Sequence, residues 1–176
     1  MHTTRAVVDR AVAAGVPVYG VNTGFGKLSE VTIPPDQLAA LQRNLVRSHA
    51  AGVGDLLPER EVRAMMLLRA NVLATGYAGA RSELVDTLLA MLKAGIWPVV
   101  PEQGSVGASG DVAPLAHLAL TLIGEGRARI GSLEDDASTL LAAVGLQPIE
   151  LGAKEGLALI NGTQAHTAIA ALACAE

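Results

Sequence analysis

The chain has 176 residues, of which 51% are apolar and only 17% are charged, against about 25% charged residues in typical soluble domains. This length suits one domain, or one domain with the beginning of a second. The formal charge of -4 excludes the basic surface that nucleic-acid binding requires, and the single cysteine, Cys174, excludes a disulfide scaffold and fits a reducing compartment.

Apolar residues recur at helical spacing along most of the chain, and glycine or proline interrupts the pattern where helices are expected to end. The predicted helices cover residues 5–14, 34 to 52 or 54, 58–76, 82–95, 114–124, 137–144 and 153–176. Thr4 and Ser82 are predicted N-caps. Residues 16–19 alternate like a short strand, residues 97–101 are predicted to be extended, and residues 125–136 are predicted to hold a hairpin. The fold is therefore expected to be mainly α, with short β elements near Tyr19 and Trp97.

Neither a membrane span nor a secretory signal is expected. The longest apolar stretch, residues 112–123, contains Pro114 and His117 and is shorter than the roughly 20 residues that spanning requires. The first ten residues lack an apolar signal core. We expect a cytoplasmic protein. The mean hydropathy of +0.40 is high for a free monomer, which predicts a surface covered by partner subunits or by further chain.

The last predicted helix continues to Glu176 without a Gly or Asn that would form a C-cap. We therefore expect the sequence to be a fragment of a longer protein.

Residues 104–111, GSVGASGD, form a glycine-rich loop before a predicted helix and have three interpretations. The simplest is a flexible connection. A phosphate cradle at a helix N-terminus is a second, although the Walker and G-x-G-x-x-G spacings are absent and Asp111 would repel the phosphate. The third is an internal cyclisation, in which the nitrogen of Gly110 attacks the carbonyl carbon of Ala108. Loss of water from the ring and from the Ser109 hydroxyl then leaves an electrophilic methylidene group.

The third interpretation needs small residues around Ser109 and a carboxylate nearby. Asp111 is expected to cap the following helix through its carboxylate, which would fix the loop, and to assist proton transfers during cyclisation.

Residues 104–117, GSVGASGDVAPLAH, closely resemble the signature of the aromatic amino-acid ammonia-lyases. Three more segments resemble the same family in the same order, and together the four cover essentially the whole chain. These segments are VYGVNTGFG at 18–26, SHAAG at 48–52 and KEGLALINGTQ at 154–164. The resemblance implies a methylidene-imidazolone prosthetic group formed from Ala108, Ser109 and Gly110, with no metal and no diffusible cofactor.

The resemblance also assigns roles to two residues that have ordinary structural interpretations. Tyr19 is either a packing tyrosine or, by resemblance, the base that removes the substrate β-proton. His49 extends the apolar stripe of Leu38, Leu41 and Leu45, where an imidazole is usually buried and hydrogen-bonded. By resemblance it holds the substrate imidazole, and the following Ala50 favours L-histidine over tyrosine or phenylalanine as substrate.

Asn161 is either a turn or cap residue or, by resemblance, an active-site residue beside the prosthetic group and substrate, with Gln164 as support. His117 is expected to be structural, and Lys154 and Glu155 are read as a solvated pair. No His, Cys, Asp or Glu spacing predicts a metal site.

The resemblance implies the N-terminal portion of the aspartase/fumarase-like helical lyase fold. Residues 1–160 would form the lyase domain with the Ala-Ser-Gly loop, and residues 161–176 the beginning of a central helical bundle. The whole protein would be a homotetramer that converts L-histidine to urocanate and ammonia, and residues 1–176 alone would be inactive. A phenylalanine or tyrosine lyase, a related aminomutase, or a non-catalytic fragment are the alternatives.

Overall fold

The computed structural model describes residues 1–106 and 110–175, and their architecture is mainly helical, as predicted. The helices are α1 (His2–Ala14), α2 (Leu38–His49), α3 (Glu59–Ala74), α4 (Ser82–Ala94), α5 (Val112–Leu122), α6 (Ala137–Ala143), α7 (Glu155–Ile160) and α8 (Gln164–Ala173). Short 3-10 turns cover Gly26–Leu28 and Pro35–Gln37. No helix of the described residues has both the length and the apolar character needed to cross a membrane.

In the described part of the chain, five short strands form two small antiparallel sheets. The strands are β1 (Val53–Leu56), β2 (Ile96–Pro98), β3 (Pro101–Gln103), β4 (Arg127–Ile130) and β5 (Leu133–Asp136). β1 pairs with β3, and β4 lies between β2 and β5, so the predicted hairpin and the predicted strand at Trp97 are confirmed. Trp97 lies opposite Arg129, whose guanidinium is 5.3 Å from the centre of the indole ring.

One apolar core holds most of these elements together. Its largest fully buried side chains come from α3, α4, β2, α5, α6 and α7, and α8 packs on α3 in the same core. They are Met65, Met66, Leu73, Leu84, Leu88, Met91, Ile96, Leu115, Leu118, Leu122, Leu141 and Leu159. A smaller cluster of Val8, Val21, Leu38 and Ala153 attaches α1 to α2 and to the segment before α7.

Three local predictions were wrong. Residues 16–19 form no strand: the N–H groups of Val21 and Asn22 both bond Val18 O in a turn, and the nearest β pairing is an isolated bridge between Thr23 and Thr32. Thr4 lies inside α1 instead of capping it, and Ser82 is the first residue of α4 without a side-chain cap.

The predicted helix from residue 153 is broken at residues 161–163, which separate α7 from α8.

Candidate active site

Asp111 is fully buried at the beginning of α5 and binds a different helix from the one predicted. Its Oδ2 accepts hydrogen bonds from the backbone N–H groups of Ala165 (2.9 Å) and His166 (3.0 Å), in the first turn of α8. Its Oδ1 accepts from the Ser105 hydroxyl (2.6 Å) and lies 2.6 Å from Nδ1 of His166. The expectation that Asp111 caps its own helix is therefore wrong, because the carboxylate is engaged by the unsatisfied N–H groups of α8.

The charge of this carboxylate is stabilised by its partners. Burial alone would raise the pKa of Asp111, but the hydrogen bonds from Ser105 and His166 outweigh it, so the pKa lies below its ordinary value. The positive end of the α8 dipole acts in the same direction. Asp111 thus carries a fixed negative charge one residue after Gly110.

Gly110 packs directly against the turn that joins α7 to α8. Its φ of +139° is unfavourable for a residue with a side chain, and a Cβ built on it would lie 2.7 Å from Gly162 O. The same oxygen accepts a hydrogen bond from the Asp111 N–H at 2.6 Å. Glycine is thus the only residue type that fits at position 110. Ala108 and Ser109, the other two residues of the predicted cyclising triad, lie outside the described residues.

Asn161 and Gln164 lie in and after this turn. Asn161 is exposed, and its backbone O accepts from Arg69 Nη1 at 3.2 Å. Gln164 is 8% exposed, and its Oε1 accepts from the same nitrogen at 2.7 Å. Asn161, Gln164 and Gly110 therefore lie in one neighbourhood.

Arg69 is a residue of this neighbourhood that sequence reasoning missed. It is 2% exposed on α3, and burial lowers its pKa to about 10, so it stays positively charged at neutral pH. The signal was present in the sequence, because Arg69 lies on the buried face of α3 between Met65 and Leu73, where a charged residue is unusual.

His49 ends α2 and is half-buried. Its Nδ1 lies 2.8 Å from Leu45 O, which places the ring proton on Nδ1 and leaves Nε2 as an acceptor in the neutral imidazole. The Ser48 hydroxyl is 3.1 Å from the same Nδ1. His49 therefore has a polar partner within its own helix for one of its two ring nitrogens.

The segment after His49 contacts the beginning of the glycine-rich loop. A Cβ built on Gly104 would lie 3.2 Å from the Gly52 Cα, and the Gly52 N–H donates to Nε2 of His117 at 3.1 Å. His117 therefore carries its proton on Nδ1, and burial lowers its pKa, which favours the neutral form that accepts this bond. His117 joins α5 to the turn beyond His49, consistent with the predicted structural role.

Tyr19 lies in the turn that replaces the predicted strand and is 58% exposed. Its ring packs edge-on against Phe25, with ring centroids 6.1 Å apart. The buried Asn22 side chain shapes the turn: its Oδ1 accepts from the Val18 N–H at 2.8 Å, and its Nδ2 donates to Val16 O at 3.0 Å.

Gly20 brings this turn onto α7, because its φ is +75° and a Cβ there would lie 2.5 Å from Leu157 Cδ2.

Contacts between neighbouring segments thus connect all four motif segments in the structure. α7 contacts the Tyr19 turn through Leu157 and ends at the Asn161 turn, which contacts Gly110. Among residues 1–106 and 110–175, no hydrogen bond or ring contact joins the side chains of Tyr19, His49 and Asn161 to one another. In the same residues, no group of three or more His, Cys, Asp or Glu side chains could hold a metal ion.

Lys154 and Glu155 form no solvated pair, contrary to prediction. Glu155 is fully buried. Its carboxylate accepts a hydrogen bond from Arg81 Nη2 at 2.7 Å and further hydrogen bonds from the backbone N–H groups of Arg81 and Gly152. Burial alone would raise the pKa of Glu155, but these bonds outweigh it and hold the pKa below its ordinary value. Lys154 has a left-handed φ of 71° and donates to Ala78 O instead. Both residues fix the beginning of α7.

Comparison with known proteins finds relatives that match nearly the whole chain. The chain is 59% identical over 173 residues to the curated histidine ammonia-lyase of Sorangium cellulosum, covering 97% of this chain and 34% of that protein. The crystal structure of histidine ammonia-lyase from Trypanosoma cruzi matches 97% of this chain and 33% of its own, with a TM-score of 0.89 and 47% identity. A tyrosine aminomutase from Streptomyces globisporus matches 97% of this chain and 32% of its own, with a TM-score of 0.90 and 41% identity.

The chain therefore spans about a third of the length of the curated relatives that it matches. The profile of the Aromatic amino acid lyase family matches residues 1–176. The chain belongs to the aromatic amino acid lyase family.

Proposed function

We propose that the full-length protein containing this chain is a histidine ammonia-lyase, which removes ammonia from L-histidine to give urocanate. The observation that carries the proposal is the Asp111 network, which packs Gly110 onto the Asn161–Gly162 turn beside a fixed negative charge. The names of the curated relatives support histidine as the substrate.

The described residues fit a prosthetic group formed from Ala108, Ser109 and Gly110. Position 110 has no room for a side chain, because a Cβ there would lie 2.7 Å from Gly162 O. The backbone nitrogen of Gly110 is therefore not shielded by a side chain on its own residue. The adjacent Asp111 N–H is held by Gly162 O, which restricts the loop from its C-terminal end. The methylidene-imidazolone supplies an electrophile that turns the substrate amine into a leaving group.

Tyr19 is proposed to remove the β-proton of the substrate, from a turn whose shape is set by Asn22 and Gly20. His49 is proposed to bind the substrate imidazole through Nε2, since Nδ1 is committed to Leu45 O. In the neutral tautomer Nε2 accepts, so it would receive the N–H of the substrate ring. Asn161 is proposed to hold the substrate from the turn beside Gly110, and Gln164 to support that turn.

A tyrosine or phenylalanine lyase or an aminomutase is the second candidate, because the tyrosine aminomutase structure is similar over 97% of this chain. His49 followed by Ala50 supports histidine in preference to these substrates. The proposal further includes a cytoplasmic homotetramer and a central helical bundle that begins near residue 161.

The test is turnover by the full-length reading frame that contains this sequence. Histidine, tyrosine and phenylalanine are offered separately, and the α,β-unsaturated acids and β-amino acids are quantified. Urocanate as the dominant product supports the proposal, and a β-amino acid product would indicate an aminomutase. No product from any of the three, with an unmodified Ala108–Gly110 peptide, would favour a non-catalytic chain.

A further inference from the structure

Within residues 1–106 and 110–175, the hydrogen bonds of the buried Arg69 guanidinium go to one short stretch of chain. Nη2 donates to Ala158 O near the end of α7, and Nη1 donates to Asn161 O (3.2 Å) and to Gln164 Oε1 (2.7 Å). In the described part of the chain, no carboxylate forms an ion pair with it. A buried cation is ordinarily paired with an anion, so this one is unusual in being held by carbonyl dipoles alone.

The guanidinium can hydrogen-bond several acceptors at once, which an apolar side chain of similar length could not do. The planar guanidinium donates to a backbone carbonyl oxygen of α7, to one of the turn, and to the side-chain amide oxygen of the first residue of α8. Those carbonyl groups belong to three different local structures, and one rigid group fixes them relative to one another. Arg69 therefore bridges the end of α7, the turn and the beginning of α8.

Gly162 lies between Arg69 and the Gly110 segment. A Cβ on Gly162 would be 2.3 Å from Arg69 Nη1 and 2.2 Å from Gln164 Oε1, so the guanidinium and the amide occupy the space beside this glycine. On its other side, Gly162 O accepts from the Asp111 N–H at 2.6 Å and would lie 2.7 Å from a Cβ on Gly110.

We propose that Arg69 is a positioning residue of this lyase. It holds the turn of residues 161–163 in contact with Gly110 and Asp111. Both the cyclisation of the Ala108–Gly110 triad and the placement of Asn161 depend on that contact. The inference rests on the proposed function for its catalytic part. Its structural part, the fixing of the turn by the guanidinium, does not.

The test compares three variants with a matched control in the full-length protein. Arg69→Met removes both the charge and the guanidinium group, and Arg69→Lys keeps the charge without the guanidinium group. Gly162→Ala keeps the arginine residue but displaces its guanidinium group. The control is Arg63→Met on the same helix, a half-buried arginine whose contacts are with Glu59 and Leu92 O and lie away from the turn. Each protein is measured for amide hydrogen exchange at residues 110–112 and 161–166, for loss of water from residues 108–110 by peptide mass, and for kcat and KM.

All three variants are expected to unfold cooperatively but to exchange at residues 161–166 roughly tenfold faster or more, as loss of hydrogen bonds to a charged donor implies. The modified fraction is expected to fall, and kcat per modified chain to fall roughly 100-fold, as for a displacement of about 1 Å. Most of the loss should appear in kcat, and Arg69→Lys should not rescue it.

The proposal would be overturned if the three variants had the same amide hydrogen exchange, the same modified fraction and the same kcat as Arg63→Met. If the Arg69 variants fail to fold, Gly162→Ala decides in the same way, because its turn is partly solvent-exposed. A parent protein that lacks both the modification and turnover would refute the proposed function instead, and the exchange data would still decide whether Arg69 fixes the turn.

Discussion

Asp111 and His166 are joined twice, although 55 positions separate them: Oδ2 of Asp111 accepts the backbone N–H of His166 at 3.0 Å, and Nδ1 of the His166 ring lies 2.6 Å from Oδ1. This pair connects the beginning of α5 to the beginning of α8. The residue directly before Asp111 belongs to the proposed cyclising triad, so the pair also fixes the C-terminal end of that triad.

Replacing Asp111 should weaken the protein and the loop together. Asp111→Ala removes the acceptor of two backbone N–H groups, the Ser105 hydroxyl and the His166 ring, and we expect a loss of about 2–4 kcal/mol in the free energy of unfolding. Urea unfolding of residues 1–176, followed by circular dichroism, measures this. The exposed Asp86→Asn is the control and should change stability by less than about 0.5 kcal/mol. A similar small effect for Asp111→Ala would contradict the network.

His117 should make stability pH-dependent near neutrality. Its pKa in the folded protein is lowered below the ordinary value of 6.5, so the unfolded chain binds a proton first as the pH falls. The contribution of the neutral ring is therefore complete above about pH 6.5, and it is lost as the pH falls from 6.5 to the lowered pKa of the folded state.

The measurement is the difference in unfolding free energy between pH 7.5 and pH 5.5 for the parent and for His117→Gln. The variant should show a smaller pH-dependent loss. The carboxyl groups of Asp111 and Glu155 have lowered pKa values and ordinary values of 3.8 and 4.5, so their stabilising effect is lost only at more acid pH. Identical pH dependence of parent and variant would show that His117 is not the titrating group.

His49 should affect substrate choice more than stability. In the full-length protein, His49→Leu removes the Nε2 acceptor, and we expect kcat/KM for histidine to fall at least about tenfold, which corresponds to one lost hydrogen bond. Among the described residues, its Nδ1 bonds Leu45 O and Ser48, both within α2, so the unfolding temperature should change little. Steady-state kinetics with histidine and phenylalanine measure the effect. An unchanged preference between the two would reject the role.

Gly20 and Gly15 provide a matched pair for the Tyr19 turn. Both have positive φ values, +75° and +65°, so alanine adds about 1–2 kcal/mol of backbone strain at either position. Only at Gly20 would the new Cβ meet another side chain, Leu157 Cδ2 at 2.5 Å, whereas at Gly15 nothing lies within 4 Å.

Gly20→Ala should therefore lower both the unfolding temperature and lyase turnover, because either the Leu157 side chain or the turn that carries Tyr19 must shift to make room. Gly15→Ala should lower stability slightly and leave turnover unchanged. Equal turnover of the two variants would show that the contact between Gly20 and Leu157 does not position Tyr19.

The sequence alone predicted those parts of the structure that depend on local signals. The helix that ends before Gly95 follows from the left-handed φ that glycine adopts there, and the hairpin of β4 and β5 follows from a short polar segment between two helices. The structure brings Gly110 and the Asn161–Gly162 turn together, and the site roles that the family resemblance implies for these residues stay predictions.

The features that sequence reasoning missed depend on contacts between distant segments. Asp111 binds α8 instead of α5 because the tertiary fold brings the unsatisfied N–H groups of α8 to its carboxylate, and no local pattern reports this. The break between α7 and α8 was hidden by a continuous apolar pattern, although Asn161 and Gly162 are turn residues. Arg69 was overlooked because a lone arginine inside a helix is usually exposed.

The central claim, a lyase with a self-formed electrophile, is tested most directly by the mass of one peptide in an active preparation. We predict that the peptide containing Ala108, Ser109 and Gly110 from the full-length protein is lighter than its sequence by two water molecules, and that Ser109→Ala abolishes both this loss and urocanate formation while the helical circular dichroism is retained. An unmodified peptide in a preparation that converts histidine to urocanate, or undiminished turnover by Ser109→Ala, would contradict the claim.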